Sequence, residues 1–443
     1  MKLNYLILSI ISPSYYKSIS ESIKNQNINH KELNSLQQKK LINLLLHSKN
    51  NVPYYEKLLQ SIEVNNINHF TYIPFLSNEI IRDNYDKLKA INLNQRRFKY
   101  NSTSGSTGQA LKFYSDRNGN HYRHACTIRG DSWTGWRYGE AKLILWGAIK
   151  DTNKSQTIKG RIIYSKLLFN TTMLSSFNMT NNDMIKYIDI INKNKPTLII
   201  GYPSSLELFS QFIKKENLSI HTPKGLITGG ETLYNNQRNI IQEVFHSKVL
   251  NRYGSRDVGH VANECELQNG LHISSDRVYV ELINENGGKC EPGEIGEIVV
   301  TDLDNYVFPF IRYKTGDLGV YTDRICPCGK PFPLLESVVG RTFDLIIGTN
   351  GNRVSGNYFS LSLKYSIKGI ESFQVVQNKI NTVNLNLKVN SEYNIKEEYK
   401  LIKLLKKKLG KEMNIIIEKV DNIQNTASGK HRWVISKVSP FVI

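Results

Sequence analysis

Four short segments of the sequence combine glycines, hydroxyls and charged residues in patterns that suit phosphate chemistry. The first is a run of six residues, Thr103, Ser104, Gly105, Ser106, Thr107 and Gly108. Glycines let the backbone approach a ligand and turn its N–H groups inward, and hydroxyls add donors for phosphate oxygens. The run is not a Walker loop, because it lacks the Gly-Lys-Ser/Thr ending. A flexible linker is the alternative interpretation.

The other three segments supply carboxylates, an aromatic ring and a lysine. Asp317 follows a glycine turn and could accept hydrogen bonds from ribose hydroxyls. Tyr253 could stack on adenine, and Asp257 could hold magnesium. Lys430, on a glycine-flexed loop near the C-terminus, could reach a negative charge that develops during phosphate chemistry. Taken singly, each has a plainer alternative: an ordinary β-turn, an exposed ion pair or a solvated lysine.

The cysteines form a separate pattern. Cys326 and Cys328 are too close for an ordinary disulfide, and about 60 residues earlier stand Cys265 and His272. Three thiolates and one imidazole would complete a tetrahedral zinc site with no open position, so its role would be structural. His260 could take the place of His272. Two free surface thiols are the alternative.

Length, charge and cysteine count bound the class of protein. With 443 residues, the chain fits a large domain plus a small one. The formal net charge is +19, but the basic residues are spread along the chain and no nucleic-acid-binding motif is present, so a basic nucleic-acid-binding protein is only an alternative. Five cysteines without a secretion signal indicate a reducing compartment, the cytoplasm.

The N-terminal apolar stretch, residues 3–11, is too short to cross a bilayer. We interpret it as the buried face of a first helix, and attachment to a membrane surface is the alternative. A longer helical pattern runs from about Glu32 to Gln60, with a break at Pro53.

The pattern of strands and helices then divides the chain. Strand-like runs alternate with helical stretches and predict α/β organisation with parallel strands; these runs are Leu143–Trp146, Leu198–Ile200, Leu226–Thr228 and Val249–Leu250. A β-rich subdomain is predicted near residues 270–340, with short strands such as Val278–Ile283 and Glu297–Thr301. Residues 341–443 form a predicted small domain, apart from the large domain of residues 1–340. Its predicted elements are the strands Phe373–Val376, Val383–Val389 and Asn414–Val420 and the helix Tyr399–Leu409.

Taken together, the order and spacing of these segments resemble the adenylate-forming superfamily of acyl-CoA synthetases. The phenylacetate–coenzyme A ligase branch, with its capsular-polysaccharide ligase-like members, is the most similar. The resemblance covers nearly the whole chain and rests on Asn50-Asn51-Val52-Pro53-Tyr54-Tyr55, Gly201-Tyr202-Pro203-Ser204, Thr228-Gly229-Gly230-Glu231, Glu264-Cys265, Gly270-Leu271-His272-Ile273 and Pro309-Phe310-Ile311-Arg312-Tyr313. It implies an α/β fold: a large multi-subdomain N-terminal domain and a small mobile α+β C-terminal domain.

The resemblance also implies a role for each site residue. The run from Thr103 to Gly108 would wrap the ATP phosphates, and Lys430 would be the catalytic lysine delivered by the small domain. The nucleotide would be bound by Gly229, Gly230, Glu231, Tyr253, Asp317 and Arg341. Tyr202 would line the acyl pocket, and Asp344 would lie at the hinge between the domains.

Two departures from the family pattern concern the metal and the phosphates. Asp257 stands where the family usually has a magnesium-binding glutamate, and Arg256 replaces the usual Ser or Thr, so metal positioning could be weaker or shifted. Leu111 stands where many superfamily members carry a lysine, and Lys112 is one place late. That second departure is shared with the phenylacetate-ligase branch.

The implied reaction is ATP-dependent activation of a carboxylic acid, followed by transfer of the acyl group to coenzyme A or to an amine. Magnesium would assist at the phosphates and zinc would be structural. The identity of the acid and the choice between monomer and homodimer are open. A catalytically degenerate ligase fold that acts as a binding or scaffold protein in polysaccharide assembly is the alternative. No nucleic acid and no transmembrane segment are expected.

Overall fold

The computed structural model describes most of the chain: residues 3–102, 111–146, 170–176, 179–341, 345–355, 359, 363, 366–423 and 433–438. Its α-helices are α1 Leu3–Ile11, α2 Pro13–Asn25, α3 His30–Asn51, α4 Pro53–Leu58, α5 Asn78–Asp83, α6 Arg117–Ser132, α7 Asn181–Asn194, α8 Pro203–Lys215, α9 Asn235–Phe245 and α10 Ile395–Leu409. Short 3-10 helices span Ile67–Tyr72 and Leu93–Gln95.

The first strands form a hairpin and the parallel part of the large sheet. They are β1 Phe98–Ser102, β2 Lys112–Asp116, β3 Lys142–Trp146, β4 Thr171–Ser175, β5 Leu198–Gly201, β6 Gly225–Gly229 and β7 Val249–Ser255. The strands that follow, up to the start of the C-terminal region, are β8 Gly259–Glu264, β9 Leu271–Ile273, β10 Val278–Ile283, β11 Ile295–Asp302, β12 Tyr313–Tyr321 and β13 Leu334–Arg341. The last strands are β14 Leu345–Ile347, β15 Arg353–Ser355, β16 Ile370–Lys379, β17 Thr382–Val389, β18 Asn414–Lys419 and β19 Val434–Ser436.

Within the described residues, eleven strands form one sheet in the order β10-β11-β12-β13-β9-β8-β7-β6-β5-β3-β4. The strands from β4 to β7 are parallel, and all pairs beyond β7 are antiparallel. Helices cover both faces of the parallel half, as buried parallel strands require. Helices α7, α8 and α9 pack on one face, while α2 and α6 pack on the other. The predicted α/β class with parallel strands is confirmed.

The helical pattern predicted from about Glu32 to Gln60 forms two helices, divided at the predicted break. Helix α3 begins with a capping box between Asn29 and Glu32. It ends at Asn51, and its C-cap residue Val52 has an extended backbone with φ −123° and ψ 107°. The residue before a proline avoids the helical region, so Pro53 begins a new helix, α4, instead of continuing the old one.

The first helix corrects our interpretation of the apolar N-terminal stretch. Leu8 is buried against α2, but Ile10 is 73% exposed and Ile11 is 51% exposed. The stretch is therefore not simply the buried face of a helix. Among the described residues, no helix combines the length and the apolar character needed to cross a membrane.

The C-terminal region has a sheet and a core of its own. Its four strands follow the order β18-β17-β16-β19, with β16 and β17 antiparallel and the outer pairs parallel. Helix α10 packs on this sheet through Leu401, Leu405 and Leu409. These elements have the predicted α+β composition. The boundary at residues 340 and 341 stays a prediction.

Candidate active site and thiol cluster

The parallel strands end at one edge of the large sheet and bring several predicted site residues together there. Gly229 is the last residue of β6 and pairs with Arg252 in the neighbouring β7. Tyr253 follows in β7, and Tyr202 comes directly after β5. Ligands of α/β proteins bind outside the carboxyl ends of parallel strands, so this edge is the expected position of a nucleotide site.

The turn after β6 is fixed by glycine and by a carboxylate. Gly230 has a φ of +79°, a conformation that glycine adopts without strain. The Glu231 carboxylate accepts a hydrogen bond of 3.1 Å from the main-chain N–H of Ser204, in the first turn of α8. A carboxylate is favourable at a helix N-terminus because it binds free N–H groups there. Glu231 therefore holds the loop after β6 against the loop after β5.

Tyr202 is buried beside a tryptophan. It is 2% exposed, and its ring centroid lies 4.1 Å from that of Trp146, at an interplanar angle of 32°. Trp146 is the last residue of β3, so two neighbouring strands contribute the pair. The two tilted rings lie side by side at the edge of the sheet where the strands end.

Tyr253 and Asp317 meet although their strands are far apart in the sheet. Three strands separate β7 from β12, which in a flat sheet is a distance of about 19 Å at the usual spacing of about 4.8 Å. The Tyr253 hydroxyl nevertheless donates a hydrogen bond of 2.9 Å to the Asp317 carboxylate. The sheet must therefore curl around this pair. Burial and the neighbouring Asp317 raise the pKa of Tyr253 well above 10, so its phenol keeps its proton and remains a donor.

Asp257 is held by two hydroxyl groups. Ser255 donates to one carboxylate oxygen, and the Tyr313 hydroxyl donates to the other at 2.7 Å. The Tyr313 hydroxyl also lies 2.8 Å from the side-chain oxygen of Asn78, at the start of α5. Asp257 is 8% exposed. Its carboxylate is thus oriented by residues from three separate parts of the chain.

Arg123 in α6 anchors the turn that carries Asp257. Its guanidinium donates to the main-chain oxygens of Asp257 at 2.7 Å and Arg256 at 3.3 Å, and it lies 3.5 Å from the Asp302 carboxylate. A side chain on Gly259 would collide with Arg123, which explains a glycine just after this turn. These contacts tie the turn to α6 and to β11.

Several predicted site residues fall in other positions. Arg341 pairs with Asp317 in the register of β12 and β13, so its backbone lies next to the candidate ribose-binding residue. The hydroxyl-glycine run from Thr103 to Gly108, the hinge residue Asp344 and the lysine Lys430 lie outside the described residues. Their roles stay predictions.

The predicted metal ligands lie close together beside β9. The ligand atoms of Cys265, His272, Cys326 and Cys328 all lie within 4.8 Å of one another. The Cys265 and Cys326 sulfurs are 3.8 Å apart, and the Cys328 sulfur is 3.3 Å from Nε2 of His272. Three thiols and one imidazole are the donors that tetrahedral zinc prefers.

The His272 ring is oriented for a ligand on its Nε2 side. Its Nδ1 lies 3.2 Å from the carbonyl oxygen of Phe332, and a carbonyl only accepts, so Nδ1 carries the proton. The free Nε2 then points toward Cys328. Burial lowers the pKa of His272 to about 4, which keeps the ring neutral. Burial raises the pKa of Cys265 to about 12, so its thiol ionises at pH 7 only beside a cation.

His260 does not join this group of thiols. It lies in β8 opposite Gly254, and its charged neighbours are Arg252, Arg129 and Arg277. Burial and these guanidinium groups lower its pKa well below 6.5. Of the two histidines that the sequence left open, His272 is the one beside the cysteines.

Sequence reasoning missed the residues that position Asp257. Tyr313 is the last residue of the Pro309-to-Tyr313 segment quoted for the family resemblance, and a buried tyrosine usually finds a hydrogen-bond partner, so it could have been proposed. Asn78 and Arg123 are distant in sequence and carry no motif. Trp146 ends a predicted strand, but nothing in its neighbourhood indicated that it stacks on Tyr202.

Comparison with known proteins identifies the architecture. Residues 346–437 match the family described as the CapK C-terminal domain. Protein CapK of Staphylococcus aureus is 24% identical over 374 residues, which cover 83% of this chain and 80% of CapK. A phenylacetate-coenzyme A ligase of Thermus thermophilus is 29% identical over 171 residues, 37% of this chain and 38% of that ligase.

A crystal structure of 2-hydroxyisobutyryl-CoA ligase in the postadenylation state, in complex with 2-HIB-AMP, aligns with a TM-score of 0.74. The alignment covers 94% of this chain and 91% of that ligase at 16% identity. The chain has the fold of an adenylate-forming ligase. The resemblance predicted from the sequence and the predicted fold class are confirmed.

Proposed function

We propose that the protein is an adenylate-forming ligase, which uses ATP to convert a carboxylic acid into an acyl-adenylate and then transfers the acyl group to coenzyme A or an amine. The observation that carries this proposal is the hydrogen bond between Tyr253 and Asp317 across the curled sheet. It brings an aromatic ring and a carboxylate to the end of β6, beside the Gly229–Glu231 turn. A ring, a carboxylate and exposed backbone N–H groups are what adenine and ribose require.

In this proposal each residue binds a different part of the nucleotide. The Gly229–Glu231 turn forms the adenine wall, the Tyr253 ring stacks on the base, and Asp317 accepts hydrogen bonds from the ribose hydroxyls. Arg341 lies beside the same nucleotide. The Thr103–Gly108 run supplies donors to the phosphate oxygens. Tyr202, stacked on Trp146, closes one side of the pocket for the acid.

The first half-reaction is an attack of a carboxylate oxygen on the α-phosphorus of ATP. A new P–O bond forms, the bond to pyrophosphate breaks, and the negative charge on the departing pyrophosphate grows. Lys430 and the hydroxyl-glycine run stabilise that charge, so catalysis is positioning and electrostatics. In the second half, the acceptor's sulfur or nitrogen attacks the acyl carbon, loses its proton, and AMP leaves.

Asp257 fits a magnesium ligand, since magnesium commonly uses one or two carboxylates plus phosphate oxygens. Among the described residues, its carboxylate accepts hydrogen bonds from the hydroxyls of Ser255 and Tyr313, while the Arg123 guanidinium donates to its main-chain oxygen. Magnesium, when bound, would neutralise phosphate charge. The contribution of the chain is to fix the carboxylate through Ser255, Tyr313 and the Arg123 anchor.

The four ligands near β9 fit zinc by donor type, spacing and tautomer. We assign them a structural role, because three thiols and an imidazole fill a tetrahedral shell. The site connects β9 with the loop before β13, on which Cys326 and Cys328 lie.

Movement of the small domain about Asp344 would deliver Lys430 for the first half-reaction and remove it for the second. Closures of this kind commonly assemble a site and then release it. A location in the cytoplasm and a role in surface-polysaccharide biosynthesis belong to the same proposal. They rest on the cysteine usage and on the resemblance to the capsule-associated branch.

ATP–pyrophosphate exchange across a panel of carboxylic acids tests the function. We expect exchange that depends on one class of acid and requires magnesium. The purified full chain should also release one pyrophosphate per acyl-adenylate formed. ATP binding without exchange for any acid in the panel would contradict the ligase and favour a scaffold protein.

A further inference from the structure

A cleft beside the N-terminal helices is not part of the proposed ligase site. It lies between the start of α2 and the start of α6 and has a volume of about 610 Å³. The residues that line it include Ile11, Ser14, Asn92, Arg96, Arg97 and Arg117.

The cleft is positively charged. Its lining contains three arginines and one aspartate, Asp116, which lies 3.0 Å from the Arg96 guanidinium. The main-chain N–H of Arg117 donates to the carbonyl oxygen of Arg97 at 2.8 Å, so these two exposed arginines are held side by side. Both arginines line the cleft, and a guanidinium binds phosphate oxygens through paired N–H groups.

Two helices add to the positive potential. Helix α2, of 13 residues, begins at Pro13, and helix α6, of 16 residues, begins at Arg117; both starting residues line the cleft. The N-terminal end of a helix carries a partial positive charge. The Asp116 carboxylate already pairs with Arg96 and accepts from the main-chain N–H of Asn118 at the start of α6, so Arg97, Arg117 and the start of α2 are the groups that favour an anion.

Exposed isoleucines line this cleft or are next in sequence to residues that line it. Ile11 is part of the lining, and Ile10 before it is 73% exposed. Ile91 is 71% exposed and precedes Asn92, which also lines the cleft. Leu8 packs into the core on the other side of α1, which keeps the end of this short helix turned outward. Apolar side chains next to basic ones are typical of segments that lie in a membrane interface.

We propose that this surface docks the protein on membranes that contain anionic phospholipids. The headgroup phosphates bind Arg97 and Arg117, and Ile10, Ile11 and Ile91 enter the boundary between headgroups and acyl chains. A free phosphate ion would bind the arginines without contacting the isoleucines. The exposed isoleucines therefore favour a lipid as the ligand. The net charge of +19 adds long-range attraction to an anionic surface.

Co-sedimentation of the full chain with vesicles tests this proposal. We expect binding to vesicles of phosphatidylcholine plus phosphatidylglycerol and little binding to phosphatidylcholine alone. Arg97→Gln with Arg117→Gln should weaken binding by about 25-fold, at about fivefold for each basic residue near the surface. Ile10→Ser with Ile11→Ser should weaken it by about tenfold or more, because burial of apolar area is lost.

Matched double variants on distant surfaces serve as controls. Lys403→Gln with Lys407→Gln removes the same charge from exposed positions of α10, and Ile185→Ser with Ile395→Ser removes two other exposed isoleucines. Both controls should bind like the original chain, and every variant should keep its melting temperature.

Three results would overturn the proposal. One is equal binding to both kinds of vesicle. Another is equal losses in the control variants, which would mean that overall charge and not this cleft binds the membrane. The third is displacement from vesicles by inorganic phosphate at constant ionic strength, which would make the cleft a site for a free anion.

Discussion

At the ends of the parallel strands, two carboxylates are held by hydroxyl groups: Tyr253 donates to Asp317, and Tyr313 donates to Asp257. At the thiol cluster, sulfur atoms and an imidazole approach one another instead, with the Cys265 and Cys326 sulfurs 3.8 Å apart. The first region therefore satisfies its acceptors with its own donors. The second region brings together sulfur and nitrogen atoms, which are the kinds of ligand that bind a metal cation.

This difference separates positioning for chemistry from positioning for stability. Hydroxyls that hold a carboxylate leave its charge available to a ribose or to a cation, because they neutralise none of it. Three thiols and a neutral imidazole would instead fill a tetrahedral metal shell and leave no position for a substrate. Changes in the first region should therefore alter adenylation, while changes in the second should alter unfolding.

The largest effect on adenylation is expected from Lys430→Ala. The lysine is proposed to stabilise charge that exists only during the transfer, so the rate should fall by about 100- to 1,000-fold while ATP binding remains. ATP–pyrophosphate exchange measures the rate. Lys437→Ala, at an exposed lysine near the same end of the chain, is the control. An unchanged rate for Lys430→Ala would remove this residue from the mechanism.

Asp317→Asn should act mainly on the nucleotide. The amide keeps the shape but loses the charge that accepts from the ribose, so KM for ATP should rise by about 10- to 100-fold. Steady-state exchange at varied ATP gives this value. Asp323→Asn changes an exposed aspartate beyond the end of β12 and should leave KM as it was. A rise of equal size in both variants would contradict a specific ribose contact.

A smaller effect should follow from Tyr253→Phe. The ring remains for stacking and only the hydroxyl bond to Asp317 is lost, which costs about 2- to 10-fold in KM for ATP. Comparison with Tyr253→Ala, which also removes the ring, separates the two contributions. If the Phe variant lost as much as the Ala variant, stacking would have no part in binding.

The smallest effect on adenylation is expected at the thiol cluster. Cys328→Ser should reduce bound zinc well below one equivalent per chain and lower the melting temperature by about 5 °C or more. Below that temperature, the exchange rate should stay within about twofold of the original. Metal analysis and thermal unfolding provide the measurements. The control is Cys290→Ser, at a buried cysteine away from the cluster.

A rate that collapses on chelation while the chain remains folded would show that the two regions are not separate in function. A metal-free protein with unchanged melting temperature would remove zinc from the account.

Local sequence patterns predicted helices and strands, but they did not predict which residues of distant strands come into contact. The strand Val278–Ile283 was predicted with its observed ends, because β-branched residues and flanking turns mark it. Nothing in the sequence indicated that the sheet curls enough to join Tyr253 and Asp317, since curvature depends on twist and bulges accumulated over several strands.

The two regions also differed in how many of their residues could be predicted from the sequence. All four ligands of the thiol cluster were named in advance, because cysteine and histidine are few and their chemistry is specific. The partners of Asp257 were not, because Asn78 and Arg123 belong to common residue types and approach from distant helices. The exposure of Ile10 was missed because an apolar run alone does not show which face of a helix is packed.

A crystal structure of the full chain with a non-hydrolysable ATP analogue tests the central claim most directly. Our account predicts the base against the Tyr253 ring and the Gly229–Glu231 turn, and the ribose hydroxyls within hydrogen-bond distance of Asp317. A nucleotide bound elsewhere, or an Asp317 carboxylate turned away from the sugar, would contradict the ligase assignment.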